Sequence, residues 1–467
     1  MIRPAWRRAL PLWGVALLLS GCAAVRNYDA ELYVALERAS TGSVDDAIRL
    51  LESNNRQRDK DLLYYLELGM LERLGGRYEQ SQKAWKSAAA RIEVENAGGL
   101  AEASAFVRGV SSYVVNDKVR AYPGQDYEKV MLLTYMALNH LAMGDFDGAR
   151  VAIKQAHELE AQIAELRAKQ YAEVEESARK RGARTSFKEL NGYPIETIDT
   201  PEVNALRNGY QSALSHYLAG FIYEALGEPS LAAPGYRLAN ELQPGQPLLE
   251  EALAGLDERV AGGPGDGMTD VLIILGTGSA PAIQSRQFML PVVIENRVVL
   301  LANAFPVMSP TSWTPLPTEV TLDRQSLPAA RITSIDLMAR RRLMDDMPAI
   351  MLRATIRSTL TATLQYQAQR ASDREHNLAM ALAAGIATAG SVVFASADDR
   401  TWRALPSDVS IARVRVPRGV HTITLSTPEG PRNSSLSLSG RYAVVDLRLL
   451  RHQLFVSAPK RTHSPLK

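Results

Sequence analysis

In the first half of the chain, apolar residues recur at intervals of three and four. The stretch "YYLELGMLERLGGRYEQSQKAWKSAAA" places Tyr65, Leu68, Gly69, Gly76, Tyr78, Ser81, Trp85 and Ala88 so as to predict two amphipathic helices joined at Gly76. Small residues at Gly69, Ser81 and Ala88 let the helices approach closely, while Tyr65 and Trp85 fill the space beside them. The scheme returns in "LTYMALNHLAMGDFDGARVAIKQAHEL", through Ala137, Gly144, Phe146, Ala149 and Ala156. It returns again in "HYLAGFIYEALGEPSLAAPGYRLANELQP", through Gly220, Tyr223, Gly227, Ala232, Tyr236, Ala239 and Pro244. The Gly/Pro cluster "AGGPGDG" at 261–267 then reads as a linker. Beyond it the pattern changes to short β-branched runs, predicting strands over 271–275, 288–294, 297–301, 319–322, 409–416, 420–425, 435–438 and 442–449. Between these strands Pro348 opens a predicted helix with Leu352, Ile356, Leu360 and Leu364 on one face. The expected fold class is α+β: a helical solenoid followed by an antiparallel β-rich domain with an inserted helical hairpin.

The helical motifs resemble tetratricopeptide (TPR) units. Gly42 and Gly76 lie one repeat of about 34 residues apart, and Gly144 falls about two repeats after Gly76. One unit, around 100–122, lacks the signature and is expected to be divergent. The interval from Gly144 to Gly227 exceeds two repeats, and the excess is expected in the charged "ELRAKQYAEVEESARKRGAR" and the turn-rich "NGYPIETIDTPE". Residues 22–260 thus read as a right-handed stack of helix pairs, with a plain helical bundle as the alternative. A stack of that kind offers a concave surface to extended peptides and other proteins.

The N-terminus changes the picture from fold to address. Arg3, Arg7 and Arg8 precede an apolar run over 9–19, the order of a bacterial export signal, and the run is shorter than the roughly 20 residues a membrane-spanning helix needs. Leu19, Ser20, Gly21 and Cys22 resemble a lipobox, and Cys22 is the only cysteine in the chain, so no disulfide or cysteine metal cluster competes for it. The resemblance implies cleavage after residue 21 and acylation of Cys22, tethering the mature chain to a membrane. Ala23, rather than Asp, follows the cysteine, which by the same resemblance implies the periplasmic face of the outer membrane.

Charge and motifs narrow the function further. The chain has 53 Lys+Arg and 51 Asp+Glu, and losing the three leader arginines leaves the mature protein nearly neutral. The only dense basic run is Arg340 to Arg342, so nucleic acid is not an expected partner. The sequence "VLIILGTGSAP" supplies Gly276 and Gly278, but Pro281 stands where a dinucleotide fingerprint needs its third glycine, so a turn is expected. His140 and His216 sit at helix-packing positions, and the histidines form no metal motif. No nucleophile elbow is present either. No cofactor is expected.

Two stretches stand out as candidate partner-binding sites. The loop "SYVVNDKVRAYPGQDYEKV" carries Tyr122 and Tyr127 between helices, where binding residues concentrate. The segment "ASADDRTWRALPS" carries Asp399, Arg400 and Trp402, read either as an ion pair and indole locking a loop or as a ligand site. A charge-free run over 377–396, rich in Ala and Gly, reads as the second helix of the hairpin, with a membrane-inserted segment as the alternative. Taken together, the lipobox, "DKDLLYYLELG", "YPGQDYE", "NAFPV", Asp-Asp-Arg-x-Trp and "VPRGVHTITL" resemble a family of bacterial TPR-containing outer-membrane lipoproteins, a resemblance that carries over no catalytic residue.

The organisation expected is a signal peptide over 1–21, helical repeats over 22–260 and a linker over 261–267. A β-rich domain follows over 268–456, with a helical insertion over 347–396 and a tail over 457–467. The function expected is a non-enzymatic, lipid-anchored periplasmic adaptor that binds envelope proteins through its repeats. The alternatives are an envelope glycan-acting enzyme using Asp398 and Asp399, or a component of an export assembly.

Overall fold

The computed structural model describes residues 26–106, 121–183, 185–294, 297–310, 316–375 and 396–459. The leader and Cys22 lie outside the described residues, as does nearly all of the charge-free run over 377–396.

The helical half is built from hairpins: α1 (Tyr28–Ser40) with α2 (Val44–Asn54), α3 (Leu62–Leu74) with α4 (Tyr78–Phe106), α5 (Asp126–Ala142) with α6 (Phe146–Arg181), and α8 (Ala213–Ala225) with α9 (Pro229–Leu242). The short α7 (Pro201–Ala205) precedes the last pair, and α10 (Pro247–Ala254) and α11 (Leu256–Gly262) follow it. All four hairpins turn in the same way. Gly42, Gly76, Gly144 and Gly227 have φ of +87°, +70°, +79° and +77°, the left-handed region that glycine enters without a Cβ clash. The residue after each glycine donates its N–H back into the first helix: Ser43 to Arg38 O, Arg77 to Glu72 O, Asp145 to His140 O and Glu228 to Tyr223 O. This bond closes the helix C-terminus and starts the return. Asn27, Asp61 and Asp145 cap α1, α3 and α6 through their side chains.

Small residues set the helix spacing. A Cβ on Gly69 would lie 2.2 Å from the Trp85 ring, and one on Gly220 would lie 2.5 Å from the Tyr236 ring. Ser81 Oγ donates to Gly69 O at 2.6 Å across the same contact, and Ala232 takes the corresponding place in the last hairpin.

The expected divergent unit around 100–122 does not hold as a hairpin in the described residues. Instead α4 continues as one 29-residue helix to Phe106, and α4 packs directly on α5; residues 107–120 lie outside the description. The expected excess falls where it was placed. The 36-residue α6 carries the charged stretch, and the turn-rich stretch forms two 3-10 turns, Phe187–Glu189 and Ile195–Thr197, followed by α7.

The strands are β1 (Met268–Thr277), β2 (Ile283–Ile294), β3 (Arg297–Met308), β4 (Glu319–Leu322), β5 (Gln325–Pro328) and β6 (Ala330–Ser334). After the long α12 (Ile335–Glu375) come β7 (Asp408–Pro417), β8 (Gly419–Thr427), β9 (Gly430–Leu438), β10 (Tyr442–Leu450) and β11 (Gln453–Ser457). They form a five-stranded sheet in the order β11-β10-β1-β7-β6, a four-stranded sheet β5-β4-β8-β9 and a two-stranded ribbon β2-β3. All pairs are antiparallel except β1 with β10, which run parallel. The central strand β1 explains its own sequence. Val271, Ile273 and Leu275 face the four-stranded sheet in one core, and Leu272 and Ile274 face the helices in another. A strand buried on both faces reads as a continuous apolar run rather than an alternation. The helices, the five-stranded sheet and the four-stranded sheet therefore form three layers, and one apolar core crosses the 261–267 junction.

The helical insertion begins earlier than expected. α12 starts at Ile335, where Ser334 Oγ accepts from Leu337 N, and it carries Pro348 in its interior instead of opening there. The basic run that obscured this start is neutralised on the helix itself. Arg340 pairs with Asp336, Arg341 with Asp345 and Arg342 with Asp346, each one helical turn away. Among the described residues no helix is long and apolar enough to cross a membrane.

Candidate functional site

The sequence places Tyr122 and Tyr127 some way from Asp399, Arg400 and Trp402, yet the fold brings the two stretches together. "YPGQDYE" forms the start of α5. Gly124 turns the chain at φ +73°, Gln125 caps the helix, and Glu128 reaches back to Gln125 N at 2.9 Å, completing a capping box. The Glu128 carboxylate does more than cap. Its Oε2 accepts from Tyr122 Oη at 2.6 Å, and its Oε1 accepts from Trp402 N at 2.7 Å and Thr401 Oγ1 at 3.2 Å. Tyr127 Oη meets Thr401 Oγ1 at 3.1 Å.

A second carboxylate continues the grip. Glu67, in the middle of α3, accepts from Arg403 N at 2.6 Å and Ala404 N at 3.2 Å. The backbone amides of three consecutive residues, Trp402 to Ala404, are thus held by two buried glutamates from two hairpins. A third hairpin contributes Asp29 of α1, whose carboxylate lies 2.8 Å from Arg403 Nε. Burial pushes both glutamates up: Glu67 to about 8, and Glu128 above the usual range, against its hydrogen bonds with Tyr122, Trp402, Gln125 and Thr401. Burial also holds the Tyr122 and Tyr127 hydroxyls well above their ordinary range, so both remain neutral donors.

Trp402 is fully enclosed, its ring 6.0 Å from Trp85 and 6.4 Å from Tyr135 in edge-on contacts. Arg400 is also buried; its Nε and Nη2 each lie 2.8 Å from an oxygen of Asp398, and its guanidinium sits 5.2 Å from the Tyr122 ring centroid. Asp399 is half-buried beside them. These residues were expected to face a partner. The structure turns Tyr122, Tyr127, Arg400 and Trp402 inward, because the segment from Asp398 to Ser407 lies across the first helices of the hairpins and fills the space a partner would have taken. The neighbour they meet is the chain itself.

Two further bridges tie the helices to the five-stranded sheet. Arg73 of α3 donates to Asp446 of β10 at 2.8 Å and to Asn139 of α5 at 2.5 Å, all three buried. Glu224 of α8 meets Arg413 of β7 at 2.5 Å and Arg259 at 2.9 Å, with Tyr236 Oη donating at 2.6 Å; Arg413 also reaches Asp270 at 2.8 Å. Arg413 and Arg259 hold the Glu224 carboxyl below its usual range despite burial. Arg73 and Glu224 occupy the same place relative to their turn glycines, Gly76 and Gly227. Sequence reasoning missed Glu67, Glu128, Arg73 and Glu224. For Glu67 and Glu224 the available signal was a single charge inside an apolar run, as in "LLYYLELGML" and "GFIYEALG"; Arg73 and Glu128 stand beside other charges and gave none.

Among the described residues no group of three His, Cys, Asp or Glu side chains is placed to hold a metal ion. The Asp398 carboxylate, weighed as an acid or base, is engaged by Arg400 through both oxygens. No family model, curated protein or solved structure matches this chain.

Proposed function

We propose that the chain is a lipid-anchored adaptor of the bacterial envelope, a TPR-type stack held by acyl chains on Cys22 at the periplasmic face of the outer membrane. The observation that carries the adaptor reading is the grip on residues 401–404. Acidic side chains from the first helices of successive hairpins, Glu67 and Glu128, hold the amides of Trp402, Arg403 and Ala404, so the inner face of the stack recognises an irregular segment through its backbone. Here that recognition is used on the chain's own segment, so the contacts with other envelope proteins fall to the outer surface of the hairpins. Exposed apolar residues on the second helices support this: Val94 of α4, Val151 of α6 and Leu231 of α9 are 72 %, 54 % and 51 % exposed.

The anchor has its own test, metabolic labelling of cells with a palmitate analogue. The full chain is expected to be labelled and to sediment with outer membranes, and Cys22→Ala to lose both properties. An unlabelled chain that retains its leader overturns the anchor.

A second reading, a component of an export assembly, is favoured by one feature. The β2-β3 ribbon pairs with no third strand among the described residues, and it exposes Met289 and Leu300 on a strand pair twelve residues long. In that reading Met289→Lys shifts the detergent-extracted chain to a smaller species in sedimentation, whereas the adaptor reading leaves its mass unchanged.

A further inference from the structure

A cavity of about 460 Å³ opens beside the gripped segment, between the start of α5, α6, α12 and the β2-β3 ribbon. Its two walls differ in chemistry. One is apolar, formed by Ile283, Pro306, Met308, Leu343 and Ile350 from the ribbon and α12. The other is basic and polar, formed by Arg167, Gln170, Arg342, Asp346 and Arg353.

The charges on the basic wall do not balance. Arg167 Nε and Arg342 Nε share one oxygen of Asp126, at 2.6 and 3.3 Å. Arg167 also reaches Asp346 at 3.0 Å, and Arg342 pairs with the same carboxylate. Two carboxylates thus serve two guanidiniums, and Asp398, which also lines the cavity, is engaged by Arg400. Arg353 is left over. It is half-buried, lines the cavity from α12, and makes no hydrogen bond or ion pair among the described residues. The Arg342 guanidinium is itself pushed down to about 10, by burial first and then by the neighbouring Arg167. A half-buried guanidinium that faces a cavity without a carboxylate partner is a ready acceptor of an anion.

We propose that this cavity binds a small amphiphilic anion, its oxyanion head between Arg353 and Arg167 and its apolar body along the wall of β2, β3 and α12. Guanidinium forks suit the planar carboxylate and the phosphate alike. The cavity is several times larger than such a head alone and falls in the range of small-molecule sites. The ligand is therefore a free molecule with a short hydrocarbon body rather than a bare ion.

Isothermal titration of the full chain with octanoate, octyl phosphate, octyl glucoside and inorganic phosphate, all below micelle-forming concentrations, separates head from body. Binding of octanoate and octyl phosphate is expected, with the neutral glucoside and the bare phosphate at least about tenfold weaker. Arg353→Ala is expected to weaken octanoate by about tenfold, and Arg353→Lys by less, because one charge remains without the fork. Ala304→Leu, which adds bulk at a residue lining the cavity, is expected to weaken both anionic amphiphiles and leave the fold intact, as read by circular dichroism. Equal affinity for the glucoside, or anion binding untouched by both Arg353→Ala and Ala304→Leu, overturns the proposal. Binding to phosphatidylglycerol vesicles with none to octanoate also overturns it, since it places the anion site on the surface.

Discussion

At the scale of single residues, the helical half depends on glycines that have no room for a methyl group. Gly220 sits with the Tyr236 ring where its Cβ would be, and the second hairpin repeats the arrangement with Gly69 and Trp85. Gly220→Ala is expected to destabilise the fold by about 1–3 kcal/mol through overpacking, although alanine is the better helix former. Urea unfolding measures this, and a gain in stability would contradict the packing. Two titratable groups, the buried Glu67 and the half-buried His157, give opposite pH signatures. The neutral form of Glu67 is favoured in the fold, at about 8 against 4.5 in the unfolded chain, so its contribution is lost as pH rises from about 4.5 to 8. Glu67→Gln should flatten the stability profile across that window. His157 is pushed down to about 3 by burial first and then by the stacked His216, its ring centroid 4.4 Å away, with Glu160 2.9 Å from His216 on the other side. The unfolded chain then takes up a proton that the fold refuses, so stability falls as pH drops from about 6.5 towards 3. His157→Gln should remove that slope, and an unchanged profile in denaturant midpoints would contradict the assignment. The glycine and aromatic pairs were legible in the sequence because sterics are local. The glutamates were not, because their partners are backbone amides hundreds of residues away.

At the scale of elements, the segment from Asp398 to Ser407 joins the two halves. It has no regular secondary structure up to Asp408, so the amides of Trp402, Arg403 and Ala404 depend on Glu128 and Glu67 rather than on a ladder. Trp402→Ala is expected to cost about 3–5 kcal/mol, the range for emptying a large buried site. Trp402→Phe should cost much less, because Trp402 Nε1 has no hydrogen-bond partner to lose. Equal losses for the two variants in urea unfolding would contradict an indole held by packing alone. The sequence reading found every long strand and each turn glycine, since period and turn chemistry are short-range signals. It placed the start of α12 too late. Pro348 looked like a helix opening, while the basic run ahead of it hid three one-turn ion pairs. It also split α4 into a repeat that is a single helix over the residues described. The parallel pairing of β1 with β10 is set by chain topology, which strand patterns do not encode.

At the scale of the whole molecule, the helical face expected to meet partners meets the β half instead. Arg73 with Asp446, Glu224 with Arg413 and the enclosed Trp402 make that contact both charged and apolar. The proposed address rests on the sequence alone, because a lone cysteine after an apolar run is a linear signal. The occupied inner face was not, because it arises only when residues 398–407 fold back on helices from the first half. The central claim is an acyl-anchored adaptor that meets envelope proteins with its outer helices, and in-cell photo-crosslinking from Leu231 and from Glu67 tests it most directly. The account predicts a discrete adduct with another envelope protein from Leu231, its loss in Cys22→Ala, and only intrachain products from Glu67. Intermolecular adducts from Glu67 with none from Leu231 would contradict it.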